Sequence, residues 1–130
     1  MVVGGYAVAA HGVPRATGDI DLWVRPTSEN AARVILALRA FGAPLAGIAA
    51  SDFTTPDVVY QFGRPPHRVD VLTTIDGLEF DAAWPRRAIL ELEGVVVSVP
   101  DRADLIANKL ASGRPQDLAD VLRLRRLASD

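Results

Sequence analysis

The apolar positions of this 130-residue chain recur with two different periods, and the changes between them mark out its elements. Val2-Val3 reads as the stub of a strand. Gly5 to His11 reads as a helix stopped by Gly12, with Pro14 beyond it, since glycine readily takes the left-handed conformation that ends helices. Asp19 to Val24 alternates, placing Asp19, Asp21 and Trp23 on one face of a strand and Ile20, Leu22 and Val24 on the other. Thr27 or Ser28 can cap a helix running to about Phe41. Gly42 to Pro56, rich in Gly, Ala and Pro, reads as a loop with room for one short helical turn. Val58 to Phe62 and Arg68 to Thr73 pattern as paired strands joined by Gly63-Arg64-Pro65-Pro66. Phe80 to Arg87 suggests a helical turn, and Ile89 to Leu92 with Val95 to Val99 a hairpin about Glu93-Gly94. Two helices follow, Asp101 to Ser112 and Pro115 to Leu127, with Pro115 suited to a first helical position. Strands and helices interleaved in this way predict one α/β (α+β) domain over 1–130: a mixed central sheet flanked by helices, with a C-terminal helix pair.

Composition narrows the classes. A chain of 130 residues can bury roughly two-thirds of its unfolded surface, and an apolar fraction of 49% with 23% charged residues is ordinary for a globular protein. The net charge of −2 is not the basic excess of a strong nucleic-acid binder. Arg64 with His67 and Arg68, Arg86-Arg87, and Arg123 with Arg125-Arg126 read as solvated faces. There is no cysteine, so no disulfide framework. The longest apolar stretch, Val34 to Ala50, is interrupted by Arg39, Gly42 and Pro44, which argues against a membrane span and makes the cytoplasm the expected compartment.

The chemistry concentrates near the N-terminus. Asp19 and Asp21 at i and i+2 on a strand share a face, about 6.6 Å apart along the backbone. Two unit charges ~4 Å apart repel by about 4 kcal/mol at an effective dielectric near 20, and a shared divalent cation relieves that repulsion. Gly4-Gly5 stands where a short apolar run enters a helix, so backbone amides can approach a phosphate without a side chain between. Asp70, polar between Val69 and Val71, is a candidate third ligand; pairing with Arg68 or Arg87 is the alternative. Asp76-Gly77 is turn chemistry.

Lys109 is the only lysine in the chain. At roughly 100° per residue it falls between Leu105 and Ile106 in a stripe that runs on to Leu110, where an inward ammonium needs a phosphate or a carboxylate cluster unless it snorkels. In the last helix Leu118, Val121, Leu122, Leu124 and Leu127 form an apolar arc that encloses Asp117 and Asp120; Asp117 also lies where the helix dipole favours negative charge. His11 reads as a packing or capping residue. Trp23 can fill the core or stack a base, and Arg15 and Thr17 can steady phosphates or order their own loop.

Gly4-Gly5-Tyr6-Ala7-Val8-Ala9-Ala10-His11-Gly12 followed by Arg15-Ala16-Thr17-Gly18-Asp19-Ile20-Asp21-Leu22 resembles the signature of the nucleotidyltransferase superfamily, with its DNA polymerase β-like fold. It is most similar to the small bacterial branch related to abortive-infection type IV toxin nucleotidyltransferases. Motif-like stretches lie at 2–24, 68–73 and 101–122. The pattern is a glycine pair, acid-x-acid, and an acid on a later strand, which falls on Asp70. In the toxin-like branch a lysine on one helix precedes Arg-x-Lys-Asp and a further Asp; Lys109, Arg114, Asp117 and Asp120 match, while Gln116 replaces the lysine. Relatives also carry a helix and a full strand before the glycine pair. Only Met1-Val2-Val3 stands there, so the resemblance implies upstream in-frame coding, an empty position, or a helix from a partner chain.

The resemblance implies transfer of a nucleoside monophosphate from an NTP to an acceptor hydroxyl on tRNA, protein or a small molecule. Asp19, Asp21 and Asp70 would hold Mg²⁺ or Mn²⁺ in a two-ion arrangement. Gly4, Gly5, Arg15, Thr17, Lys109 and Asp117 would form the nucleotide side, with the three acids and Lys109 catalytic. A degenerate nucleotide-binding module is the alternative, as is a toxin–antitoxin interaction module with an antitoxin partner or self-association. Gln116 and the short start favour the degenerate module, and the full set of acids favours the enzyme.

Overall fold

The computed structural model describes residues 1–129. Its centre is a four-stranded sheet built from β1 (Val2–Val3), β2 (Ile20–Trp23), β3 (Val59–Arg64) and β4 (His67–Leu72), in the order β1-β2-β4-β3. The β2–β4 pair is parallel and the two outer pairs are antiparallel. A parallel pair needs a long crossover, and the chain between β2 and β4 supplies it with α2 (Ser28–Phe41), a 3-10 turn (Ala50–Thr54) and the edge strand β3. Thr27 caps α2 by accepting from Asn30 N, and Gly42 ends it at φ 91°. The helix buries Ala31 and Leu38 with Phe53 and Val71 against one face of the sheet. The domain is mixed α/β, with helices flanking the sheet, as the interleaved periods predict.

The sequence suggests a four-residue connection between β3 and β4, but the strands pair through Gly63 and Arg64 to leave Pro65-Pro66 as the turn. Gly63 makes this possible: its φ is 90°, and a Cβ there would lie 2.6 Å from the His67 carbonyl oxygen. The helical turn expected over 80–87 divides into α3 (Phe80–Ala83) and a 3-10 turn (Trp84–Arg86), because Pro85 has no N–H to continue an α ladder. Trp23 packs edge-on against Phe80 at 5.0 Å and is almost fully buried, so it is a core residue.

The remaining elements close over the sheet. They are α1 (Gly4–Ala10), a separate hairpin of β5 (Ala88–Leu92) and β6 (Val95–Val99), α4 (Arg102–Ser112) and α5 (Pro115–Ser129). Ala7 and Val8 of α1 meet Val99, Leu105 and Leu124 in one cluster. His11 caps α1 and its Nε2 donates to Pro100 O at 2.8 Å, tying the helix end to the loop before α4. The N-terminal amine donates to Trp23 O at 2.7 Å, extending the β1–β2 ladder; burial lowers its pKa to about 6. No helix among the described residues is long and apolar enough to cross a membrane.

Two expected stripes need correction. Leu110, Leu118 and Leu122 stand 46%, 46% and 58% exposed instead of in the helix seam. The seam between α4 and α5 is taken by Lys109, Asp117 and Asp120, and aligning those charges turns the three leucines outward. Leu105→Ala should therefore cost about 2–5 kcal/mol, whereas Leu122→Ala should stay within about 0.5 kcal/mol. Urea denaturation of both variants checks this; similar losses would contradict the assignment of the seam.

Candidate active site

The alternation that sends Ile20, Leu22, Val69 and Val71 to one face of the sheet sends Asp21 and Asp70 to the other. Parallel register then sets Asp21 directly beside Asp70. Burial pushes the Asp21 carboxyl up to about 6, and the charges of Asp70 and Asp19 push in the same direction. Asp70 accepts from Arg68 Nε at 2.9 Å and Nη2 at 3.3 Å, and from Gln61 Nε2 at 3.4 Å. Arg68 Nη2 also lies 3.2 Å from Asp19 Oδ2, so one guanidinium bridges Asp19 and Asp70. Asp70 thus meets the pairing alternative, with Arg68 as its partner and not Arg87, and lies in register with Asp21. Among the described residues no three His, Cys, Asp or Glu side chains converge as a ready cation nest.

Gly4 and Gly5 behave differently from one another. Gly4 has φ 69°, and a Cβ would stand 2.3 Å from Asp21 Oδ2, so only glycine lets the backbone meet that carboxylate. Gly5 lies against Thr17, whose Cβ is 3.1 Å from the position a glycine Cβ would take. Thr17 Oγ1 donates to Asp19 O at 3.2 Å, which orders the strand entry. Arg15 turns away from the pocket beside Gly4: its Nε donates to Asp120 Oδ1 at 3.1 Å. With its amide oriented to satisfy both groups, Gln116 accepts from Arg15 Nη1 at 2.8 Å. A neutral acceptor suits that place, next to a guanidinium that would repel a lysine.

Lys109 is 3% exposed and does not snorkel. Its Nζ lies 3.2 Å from Asp117 Oδ1 and 3.4 Å from Asp120 Oδ2. Asp117 also accepts from Arg114 Nε at 2.8 Å. Burial alone would raise the Asp117 pKa, but Arg114 and Lys109 hold it below the ordinary carboxylate range. Gly4, Asp21 and Lys109 line a pocket of about 370 Å³ together with Thr74, Asn108 and Arg114, within the size range of small-ligand sites. Thr74 and Asn108 carry no motif, and only their place in the fold brings them here. Asn108 Nδ2 donates to Asp76 O at 2.8 Å, which fixes the 76–77 turn against α4.

The structure therefore brings Gly4, Asp21, Asp70 and Lys109 together, with Asp117 behind Lys109 and Asp19 one guanidinium away. It sets Gly5 with Thr17, and Arg15 with Asp120, as supports of the loop. Comparison with known proteins leaves the chemistry to be argued from the site itself: no family model matches the chain, and no curated protein matches it in sequence.

Two measurements follow from the charges. A carboxyl whose pKa rises from 3.8 unfolded to about 6 folded binds its proton more tightly in the native state. Its contribution to stability is present below pH 3.8 and is lost as pH rises through about 6. In metal-free buffer Asp21→Asn should match wild type near pH 4 and exceed it above pH 6, by less than the ~3 kcal/mol of a two-unit shift because solvent screens the group. Melting both proteins across that range tests the sign; a constant difference would contradict it. Lys109→Met should cost about 3–5 kcal/mol, since it leaves buried acids short of a partner, against a few tenths for a snorkelling lysine; chemical denaturation separates the two.

Proposed function

We propose that this chain is a metal-dependent nucleotidyltransferase, moving a nucleoside monophosphate from an NTP to an acceptor hydroxyl. The observation that carries the reading is Asp21 in register with Asp70 on parallel strands, with the Gly4 backbone against the acid and Lys109 across the same pocket. The resemblance of the glycine pair, Asp19-Ile20-Asp21 and Lys109 to the nucleotidyltransferase superfamily supports it. The residues fit a divalent ion: Asp21 and Asp70 stand side by side in register, and the space beside Asp21 would be filled by any Cβ at Gly4. Asp19, Asp21 and Asp70 are the residues to hold Mg²⁺ or Mn²⁺, which when bound would neutralise phosphate charge and polarise the reacting oxygens.

The chain's own groups do the rest. The bare Gly4 backbone lets a phosphate approach the acids, and Lys109 with Arg114 faces the leaving pyrophosphate across the pocket. Asp117 and Asp120 hold the Lys109 ammonium in place, and Arg15 on Asp120 locks the loop that carries Thr17 and Asp19. The acceptor hydroxyl loses its proton to solvent as its oxygen bonds to the α-phosphorus, and the bond from that phosphorus to the bridging oxygen breaks to release pyrophosphate. One observation favours the second reading, a nucleotide-binding module without transfer: Arg68 stands between Asp19 and Asp70. On either reading NTP is the ligand. On the first the acceptor is tRNA, another RNA, protein or a small molecule.

Incubation with each labelled NTP, Mg²⁺ or Mn²⁺, and total RNA and protein should give a labelled acceptor with wild type and none with Asp21→Asn. The same metal with NTP should raise the wild-type melting temperature, about 2.7 kcal/mol of stabilisation at a hundredfold excess over Kd. Stabilisation without labelling selects the binding module. Equal responses of wild type and Asp21→Asn to metal and NTP would overturn both readings.

A further inference from the structure

Three acids on one sheet face ought to drift apart unless something cationic stands among them, and in this structure that group is a side chain. Arg68 lies two residues before Asp70 on β4, so strand alternation puts both on the same face. Its Nε and Nη2 fork onto Asp70 at 2.9 and 3.3 Å, and Nη2 is shared with Asp19 at 3.2 Å. Those oxygens are the ones a divalent cation bound by Asp19 and Asp70 would need. Both cannot have them at once.

We propose that Arg68 is a resident counter-ion of the acid cluster, holding Asp19 and Asp70 in the metal-free protein and leaving them when a divalent cation enters. The inference rests on the metal-dependent reading of the site. Two comparisons within the molecule support it. Lys109 and Arg15 are enclosed, with side chains 4% and 13% exposed and each locked on buried aspartates, while the more exposed Arg114 is held by Asp117 and touches neither Asp19 nor Asp70. Arg68 is 36% exposed, and among the described residues its polar partners are the acids that the cation would claim. It can therefore swing out at small cost, and once free its planar fork suits a phosphate oxygen pair. Arg68 is thus a positioning residue that links ion entry to nucleotide arrival.

Mn²⁺ binding without nucleotide, measured from the spin-resonance signal of the free ion, tests this on wild type, Arg68→Met and Asp70→Asn. Arg68→Met should bind Mn²⁺ ~10-fold tighter than wild type or better, as expected for a lost competitor worth one decade, and Asp70→Asn should bind more weakly than either. Arg68→Met should also melt below wild type in chelator and regain the difference in saturating Mn²⁺. A purely structural arginine would leave that deficit unchanged, which would overturn the proposal. So would equal or weaker Mn²⁺ binding by Arg68→Met when wild type binds. Absence of Mn²⁺ binding by both folded proteins would overturn the metal reading itself, and this inference with it. Arg68→Lys keeps the charge but loses the fork; it should bind Mn²⁺ with intermediate affinity, and it serves the same comparison if the methionine variant folds poorly.

Discussion

Parallel pairing of β2 with β4 forces two carboxylates, Asp21 and Asp70, against each other on a partly buried sheet face. Strands lie about 4.8 Å apart, so neither acid can retreat without breaking register. Everything near them answers that constraint. Gly4 removes its side chain so that the Asp21 carboxylate has somewhere to sit. Arg68 and Gln61 supply donors to Asp70 from the far side. Asp21 itself answers by keeping its proton to higher pH than an exposed aspartate. A sheet face that needs this much accommodation is poor as a structural core.

A second layer of charge stands behind the first. Lys109, Asp117, Asp120 and Arg15 form a chain of ion pairs that runs from α4 through α5 to the loop after α1. Buried ion pairs contribute little net stability, because desolvation offsets most of their attraction, yet removing one partner is severe. Such a chain therefore fixes arrangement more than it adds stability. It sets the rotation of α4 against α5, and the exposed Leu110, Leu118 and Leu122 are the consequence. It also pins the loop that delivers Asp19 to the start of β2.

Much of this was open to a reader of the sequence. Period two allows only two faces, so placing Asp21 opposite Ile20 and Leu22 needed nothing beyond alternation. Lys109 stood out because a lone lysine in an apolar stripe must have a partner, and α5 holds its two aspartates. The register between β2 and β4 was not legible, since a crossover of many residues separates them and alternation says nothing about offset. Arg15 was open between phosphate and loop. Its partner Asp120 lies 105 residues away, and only the packing of α5 onto the loop brings the two together. The leucine arcs failed for a related reason: a helical wheel ranks faces by apolarity and cannot know that the seam will be given to ions.

The pocket that Gly4 and Lys109 line carries both signs of charge. On the strand side Asp21 lines it, with Asp70 beside that acid and Arg68 between Asp70 and Asp19. On the helix side Lys109 and Arg114 line it, with Asp76 in the turn next to them. On the proposed reading that polarity suits a metal–nucleotide complex better than either component. The complex brings cation and phosphates together, cation toward Asp21 and phosphates toward Lys109, whereas each alone would carry uncompensated charge toward the opposite wall.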